Sequence, residues 1–150
     1  MSWIIVFVAS WILFFILRRP DPTYKTYIAG VLAILMQLSI DINAHYLDLY
    51  YIHSIYLSFH GSPLCFTFGP VFVMGVLFVQ YLPFCKTWQI LHIGVFVTLF
   101  FVFELFVLWL GDLEYVHWNY YASMYINVMV FLALAWYGTL FVQEKRQEER

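Results

Sequence analysis

The sequence predicts an all-α fold, an integral membrane bundle of about five transmembrane helices, and three observations carry that reading. Hydrophobic residues make up 64% of the 150-residue chain and charged residues only 11%, with a mean hydropathy of +0.82; ordinary globular domains carry roughly a quarter of charged residues. Apolar stretches near the ~20 residues that cross a hydrocarbon core recur along the chain. All seven Lys and Arg residues fall at three places: Arg18, Arg19 and Lys25; Lys86; and Lys145, Arg146 and Arg150.

Positive charge is retained on the cytoplasmic side of an inserted chain, so this clustering reads as a topology map. Spans over about 2–17, 27–47, 63–82, 88–110 and 119–142 form a single domain, 1–142, with the N-terminus outside, the C-terminus cytoplasmic and every Lys and Arg inside. The expected location is the cell membrane.

Each element has its own reason. The run over 2–17 carries its positive charge after the apolar region and lacks a small-residue cleavage site, so it reads as an anchor and not as a secretory signal. At about 1.5 Å per residue it covers roughly 24 Å, a short span. Arg18-Arg19-Pro20-Asp21-Pro22 is a turn, because two prolines cannot continue a helix. The segment 47–60 is apolar but too short to cross, which suits a position in the outer interface. Leu82-Pro83-Phe84-Cys85-Lys86 is a short inner turn, and 143–150 is a charged cytoplasmic tail. Tyr46, Tyr50, Tyr51 and Tyr56 after the second span, with Tyr115, Trp118, Tyr120 and Tyr121 before the fifth, read as an interfacial aromatic belt.

Several function classes drop out. A net charge of −2 leaves no basic patch for nucleic acid. Cys65 and Cys85, if both lie on one helix, stand about 30 Å apart, too far for a disulfide, and read as small packing residues. No cofactor motif is present, and Ser39, Ser54, Ser58 and Ser62 lack the flanking residues of a nucleophile turn, so no catalytic residue is assigned.

Polar residues inside the spans are the best functional clue, because ionisable groups in lipid are costly and normally face other helices or a wet cavity. Glu104 lies about 9 Å from the outer end of the fourth span and Asp41 at a similar depth in the second; Asn127 lies about eight residues into the fifth. Span directions allow all three to meet at one level, flanked by Asn43 and Gln37. Desolvation and like charge oppose full ionisation of such a pair, so a shared proton would support a proton relay or cation binding. The alternative is a set of interhelical hydrogen bonds that only hold helices together.

Outside the spans, His45 and Asp48 are three apart and share a helical face, with His53, His60, His117, Glu114 and Tyr115 as further external candidates. Their spacing matches no standard metal site, and no metal ligand is assigned. His92 lies about 18 Å along the helix from Glu104 and reads as a packing residue. Gly69, Pro70 and Gly75 in the third span, and Ala29, Gly30 and Ala33 in the second, favour close helix approach and a kink.

Phe68-Gly69-Pro70, Tyr81-Leu82-Pro83, Phe103-Glu104, Gly111-Asp112-Leu113-Glu114-Tyr115 and Trp118 together resemble a family of small multi-span membrane proteins of unknown function common in endospore-forming Firmicutes. That family has an embedded glutamate followed by a Gly-x-Ile/Leu-Glu-Tyr loop and an aromatic-rich final helix. The resemblance implies that Glu104 is the embedded glutamate and Glu114-Tyr115 the loop.

Three functional classes remain. A structural or accessory subunit of a membrane assembly leads, with the lipid bilayer and a second copy or another membrane protein as partners. A small transporter or ion- or proton-pathway component using Asp41 and Glu104 is the alternative. An intramembrane enzyme comes third.

Overall fold

Backbone N–H and C=O groups shielded from water need partners within the protein, and the long apolar stretches of this chain supply them as helices. The computed structural model describes residues 2–19, 24–53, 58–59 and 62–143. Five helices carry most of them: α1 Ser2–Leu17, α2 Tyr24–Tyr46, α3 Leu64–Gln80, α4 Lys86–Trp109 and α5 Tyr120–Gln143. Their bounds lie within about three residues of the spans read from the sequence. By length and composition, α2, α4 and α5 are sufficient to cross a membrane, whereas α1 and α3 are apolar but shorter. The turn at Pro20-Asp21-Pro22, the residues Ser54, Tyr56 and His60, and the tail 144–150 lie outside the described residues.

Successive helices run in opposite directions, giving the bundle two unlike ends. At one end stand Arg18, Arg19, Lys25 and Lys86, the basic end. The Tyr81 hydroxyl donates to the Leu17 carbonyl at 2.6 Å, and the Arg19 guanidinium lies 4.8 Å from the Tyr81 ring centre. The Gln143 amide donates to the Pro83 carbonyl at 2.8 Å, and the Tyr137 hydroxyl to the Lys25 carbonyl at 2.9 Å. The first of these bonds satisfies a carbonyl in the last turn of α1 that has no intrahelical partner.

Small residues fix the closest helix contact, between α2 and α3. A Cβ on Gly75 would stand 2.7 Å from the Ala33 Cβ and 3.2 Å from the Ala29 carbonyl oxygen, so only glycine allows this approach. Pro70 lacks an N–H, and α3 absorbs the missing bond as a wider π-helical turn over Thr67–Val71. Beside it, Gly69 lets α1 approach, since a Cβ there would lie 3.0 Å from Phe7 and Ser10 side chains.

The centre of the bundle is aromatic. Phe78, Phe96 and Phe131 meet with ring centres 5.0–5.9 Å apart, and His92 stacks on Phe78 at 4.9 Å. His92 Nε2 donates to the Phe78 carbonyl at 2.9 Å, a local packing role. Helix α4 leans mainly on α5, buries Val97 and Val107, packs Ile93, Phe96, Phe100 and Phe103 half-buried on the core, and exposes apolar side chains on its other face.

One element differs in kind from the sequence reading. Part of the segment expected in the outer interface is a strand: β1 Tyr50–Ile52 pairs antiparallel with a strand of the connection between α4 and α5. A second short pair joins β2 Ser58–Phe59 to β3 Ser62–Pro63, and β4 Leu113–Tyr115 is the partner of β1. Tyr, Ile and Leu favour a pleated, half-buried surface, and a three-residue strand is too short to announce itself by periodicity.

Candidate functional site

The ribbon formed by β1 and β4 covers the end of the bundle opposite the basic end, and two left-handed residues place it there. Helix α2 stops at Tyr46, and Asp48 at φ 50° turns the chain into β1; Asp is one of the few side chains that adopts this region at low cost. Helix α4 ends at Trp109 and is closed by Gly111, φ 77°, with Gly111 N–H donating to the Leu108 carbonyl and Asp112 N–H to the Val107 carbonyl. This is a Schellman closure, which requires a residue at positive φ and so favours glycine. Strand β4 begins two residues later.

The register sets Tyr50 opposite Tyr115, Tyr51 opposite Glu114 and Ile52 opposite Leu113. Directly opposed residues point to the same face, so Tyr50 and Tyr115 turn inward together while Tyr51 and Glu114 face out. The Tyr50 hydroxyl donates to Asp41 Oδ1 on α2 and the Tyr115 hydroxyl to Glu104 Oε1 on α4, each at 2.6 Å. One cross-strand pair thus holds two carboxyls from two helices. Burial, with the neighbouring Asp41 charge second, pushes the Tyr50 phenol well above its ordinary range; burial and the bond to Glu104 raise Tyr115 likewise. Both remain protonated donors at neutral pH.

Each carboxyl has further partners. Gln37 donates to Asp41 Oδ1 at 2.8 Å from one turn earlier on α2. Ser123 on α5 donates to Glu104 Oε1, Trp118 Nε1 donates to the Ser123 hydroxyl at 2.7 Å, and Asn127 reaches Glu104 Oε2 only at 3.4 Å. Asp41 is 1% exposed, and the buried Ser62 hydroxyl is a further partner of its carboxyl.

Asp41, Glu104 and Asn127, expected to meet at one level, line the same cavity of about 70 Å³. That is several times the roughly 10–15 Å³ one water requires. Gln37, Ser123, Tyr50 and Trp118 share the lining with aromatic rings of Phe66, Phe100 and Phe103. A smaller cavity shares Gln37, Phe100 and Asn127 with it and is otherwise lined by apolar residues, Phe131 and Leu134 among them.

Other candidates do not join. Asn43, expected to flank the cluster, is exposed and donates to the Ser39 carbonyl of its own helix at 2.6 Å. His45 and Asp48 do not share a helical face, because α2 ends between them; Asp48 instead accepts from the Tyr51 hydroxyl at 2.6 Å. His117 Nδ1 donates to the Asp48 carbonyl at 3.1 Å. His53 stands 3.3 Å from Glu114, an exposed pair that contributes little. Among the described residues, no group of three or more His, Cys, Asp or Glu is placed to hold a metal ion. Cys85 caps the start of α4 and so does not share a helix with Cys65; both thiols are free.

Sequence reasoning missed the roles of Tyr50, Trp118 and Ser123. The tyrosine and tryptophan sat in what read as a uniform aromatic belt, of which Tyr46, Tyr120 and Tyr121 do remain exposed. Ser123 carried a usable signal, since it lies four residues before Asn127 on the same face of α5. No family model, curated protein or solved structure matches this chain.

Proposed function

We propose that this chain is a multi-pass membrane protein that binds a small cation or a proton between Asp41 and Glu104, as a small transporter or ion-pathway component. The observation that carries the reading is that carboxyls from two different helices, the fully buried Asp41 and the half-buried Glu104, line one cavity. Among the described residues no Lys or Arg stands at this end of the bundle.

We further place all five helices in the bilayer, with the basic end cytoplasmic, the ribbon end outside and the N-terminus external, in keeping with the retention of Lys and Arg inside. The resemblance to small multi-span Firmicutes proteins is an expectation of the same architecture. The Phe78, Phe96 and Phe131 cluster lies between the cavity and the basic end, which supports loading from the ribbon side.

A second reading, an accessory subunit of a membrane assembly, draws on α4, whose outward apolar face is left uncovered. Lipid would cover that surface as well as a partner would. Cation or proton flux into liposomes containing the purified protein separates the two readings. Flux lost in Asp41→Asn and Glu104→Gln, with the fold intact, supports the ion-handling reading. Absence of flux in the wild type sinks it in favour of the accessory subunit.

A further inference from the structure

We infer that the basic end binds the phosphodiester of an anionic phospholipid where α1 ends against α3, an inference that rests on the membrane placement above. Charge is segregated along the bundle. Among the described residues all five acids lie toward the ribbon end, and the four cations Arg18, Arg19, Lys25 and Lys86 lie at the other. The ion pair of His53 with Glu114 belongs to the ribbon, so no described acid neutralises any of the four. By sequence, Asp21 offsets one of them and the three acids of the tail match its three bases, which leaves three positive side chains in excess at this end.

The fold also positions the arginines. The Leu17 carbonyl accepts from the Tyr81 hydroxyl at 2.6 Å and from the Gln80 amide at 3.4 Å, which fastens the last turn of α1 to the end of α3. Arg19 follows two residues later, its guanidinium 4.8 Å from the centre of the Tyr81 ring. A pinned ring thus orients the planar fork while leaving its N–H donors open. The Arg18 guanidinium lies 5.6 Å from the Phe15 ring, which is exposed on the apolar face of α1. Both cations therefore stand at the perimeter of the bundle, where apolar surface gives way to charge. Exposed Tyr24 and Trp88 stand at the same end, and such rings settle at the headgroup level.

Arginine grips a phosphate through two parallel N–H donors. Excess positive charge at a cytoplasmic surface attracts anionic lipid, whereas a zwitterionic headgroup brings its own ammonium beside the phosphate and meets that excess with repulsion. The site accordingly selects an anionic headgroup.

The test is native mass spectrometry of the full chain in detergent, titrated with phosphatidylglycerol or phosphatidylcholine. We expect one phosphatidylglycerol per chain, preferred at least about fivefold, with Arg19→Gln removing about a fivefold share, the effect of one cation at an anionic surface. Arg19→Lys keeps the charge and loses the paired donors, and Tyr81→Phe keeps every charge and frees the ring; each should weaken binding about two- to threefold. Equal binding of the two lipids, or a preference that Arg19→Gln leaves untouched, overturns the inference. A preference that both Arg19→Lys and Tyr81→Phe leave intact reduces the effect to diffuse surface charge and overturns it too. Displacement of the lipid by an equal concentration of inorganic phosphate would show a soluble-anion site instead. Vesicle flotation separates this inference from its premise: a chain that floats with vesicles but lacks the preference loses only the lipid site, whereas a chain that does not float loses the membrane placement as well.

Discussion

Replacing Tyr115 with Phe removes one oxygen and keeps the ring, which makes it a clean perturbation of the Glu104 environment. The lost bond is 2.6 Å long and half-buried. Hydrogen bonds to charged groups contribute about 1.5–3 kcal/mol in water-exposed folds, while interhelical bonds measured in bilayers average about 0.6 and reach about 1.7 kcal/mol. Ser123 still donates to the same oxygen, so Glu104 is not orphaned and the loss stays near the lower range. We expect Tyr115→Phe to destabilise the protein by about 1 kcal/mol. Reversible unfolding in mixed micelles of the wild type, Tyr115→Phe, Glu104→Gln and the double variant gives the pairwise coupling, expected at about 0.5–1.5 kcal/mol. Tyr50→Phe should couple with Asp41→Asn in the same range and not with Glu104→Gln. Zero coupling between Tyr115 and Glu104, or equal coupling of Tyr50 to both acids, would refute the arrangement in which each tyrosine holds its own carboxyl.

Gly75→Ala should cost about 1–3 kcal/mol by forcing α2 and α3 apart, whereas Gly94→Ala, which meets nothing within 4 Å, should be neutral or slightly stabilising; thermal denaturation in one detergent compares them. Backbone N–H groups of Thr87 and Trp88 hold the exposed Cys85 thiol below the ordinary thiol range. A lowered value means thiolate at lower pH, so maleimide labelling of Cys85 should rise with pH earlier than that of a free cysteine, near 8.5, and outpace the half-buried Cys65. Because Cys85 adjoins Lys86, a membrane-impermeant maleimide should reach it from the cytoplasmic face alone. Labelling from outside would invert the proposed topology.

The helices were legible because length and apolar composition are summed over about twenty residues, where local exceptions average out. Their order and directions followed from charge placement at Arg18, Arg19, Lys25 and Lys86. Asp41, Glu104 and Asn127 were legible as a cluster because three regular helices running in alternate directions convert sequence depth into spatial level. The ribbon was not legible. Tyr50-Tyr51-Ile52 and Leu113-Glu114-Tyr115 lie 63 positions apart in a register no local rule sets, and the alternation that turns Tyr50 inward and Tyr51 outward exists only once the strands pair. The same limit explains His45 and Asp48: a spacing of three implies a shared face only inside a helix, and here the helix stops one residue beyond His45.

The most direct measurement is the infrared difference spectrum of the carboxyl groups in lipid, recorded on adding a monovalent cation at fixed pH, with Asp41→Asn and Glu104→Gln as assignments. A hydrated cation site requires that carboxyl bands dependent on both residues shift together on cation addition and exchange rapidly in deuterium oxide. Bands that ignore the cation and exchange over hours would contradict the account and leave Asp41 and Glu104 as sealed links between helices.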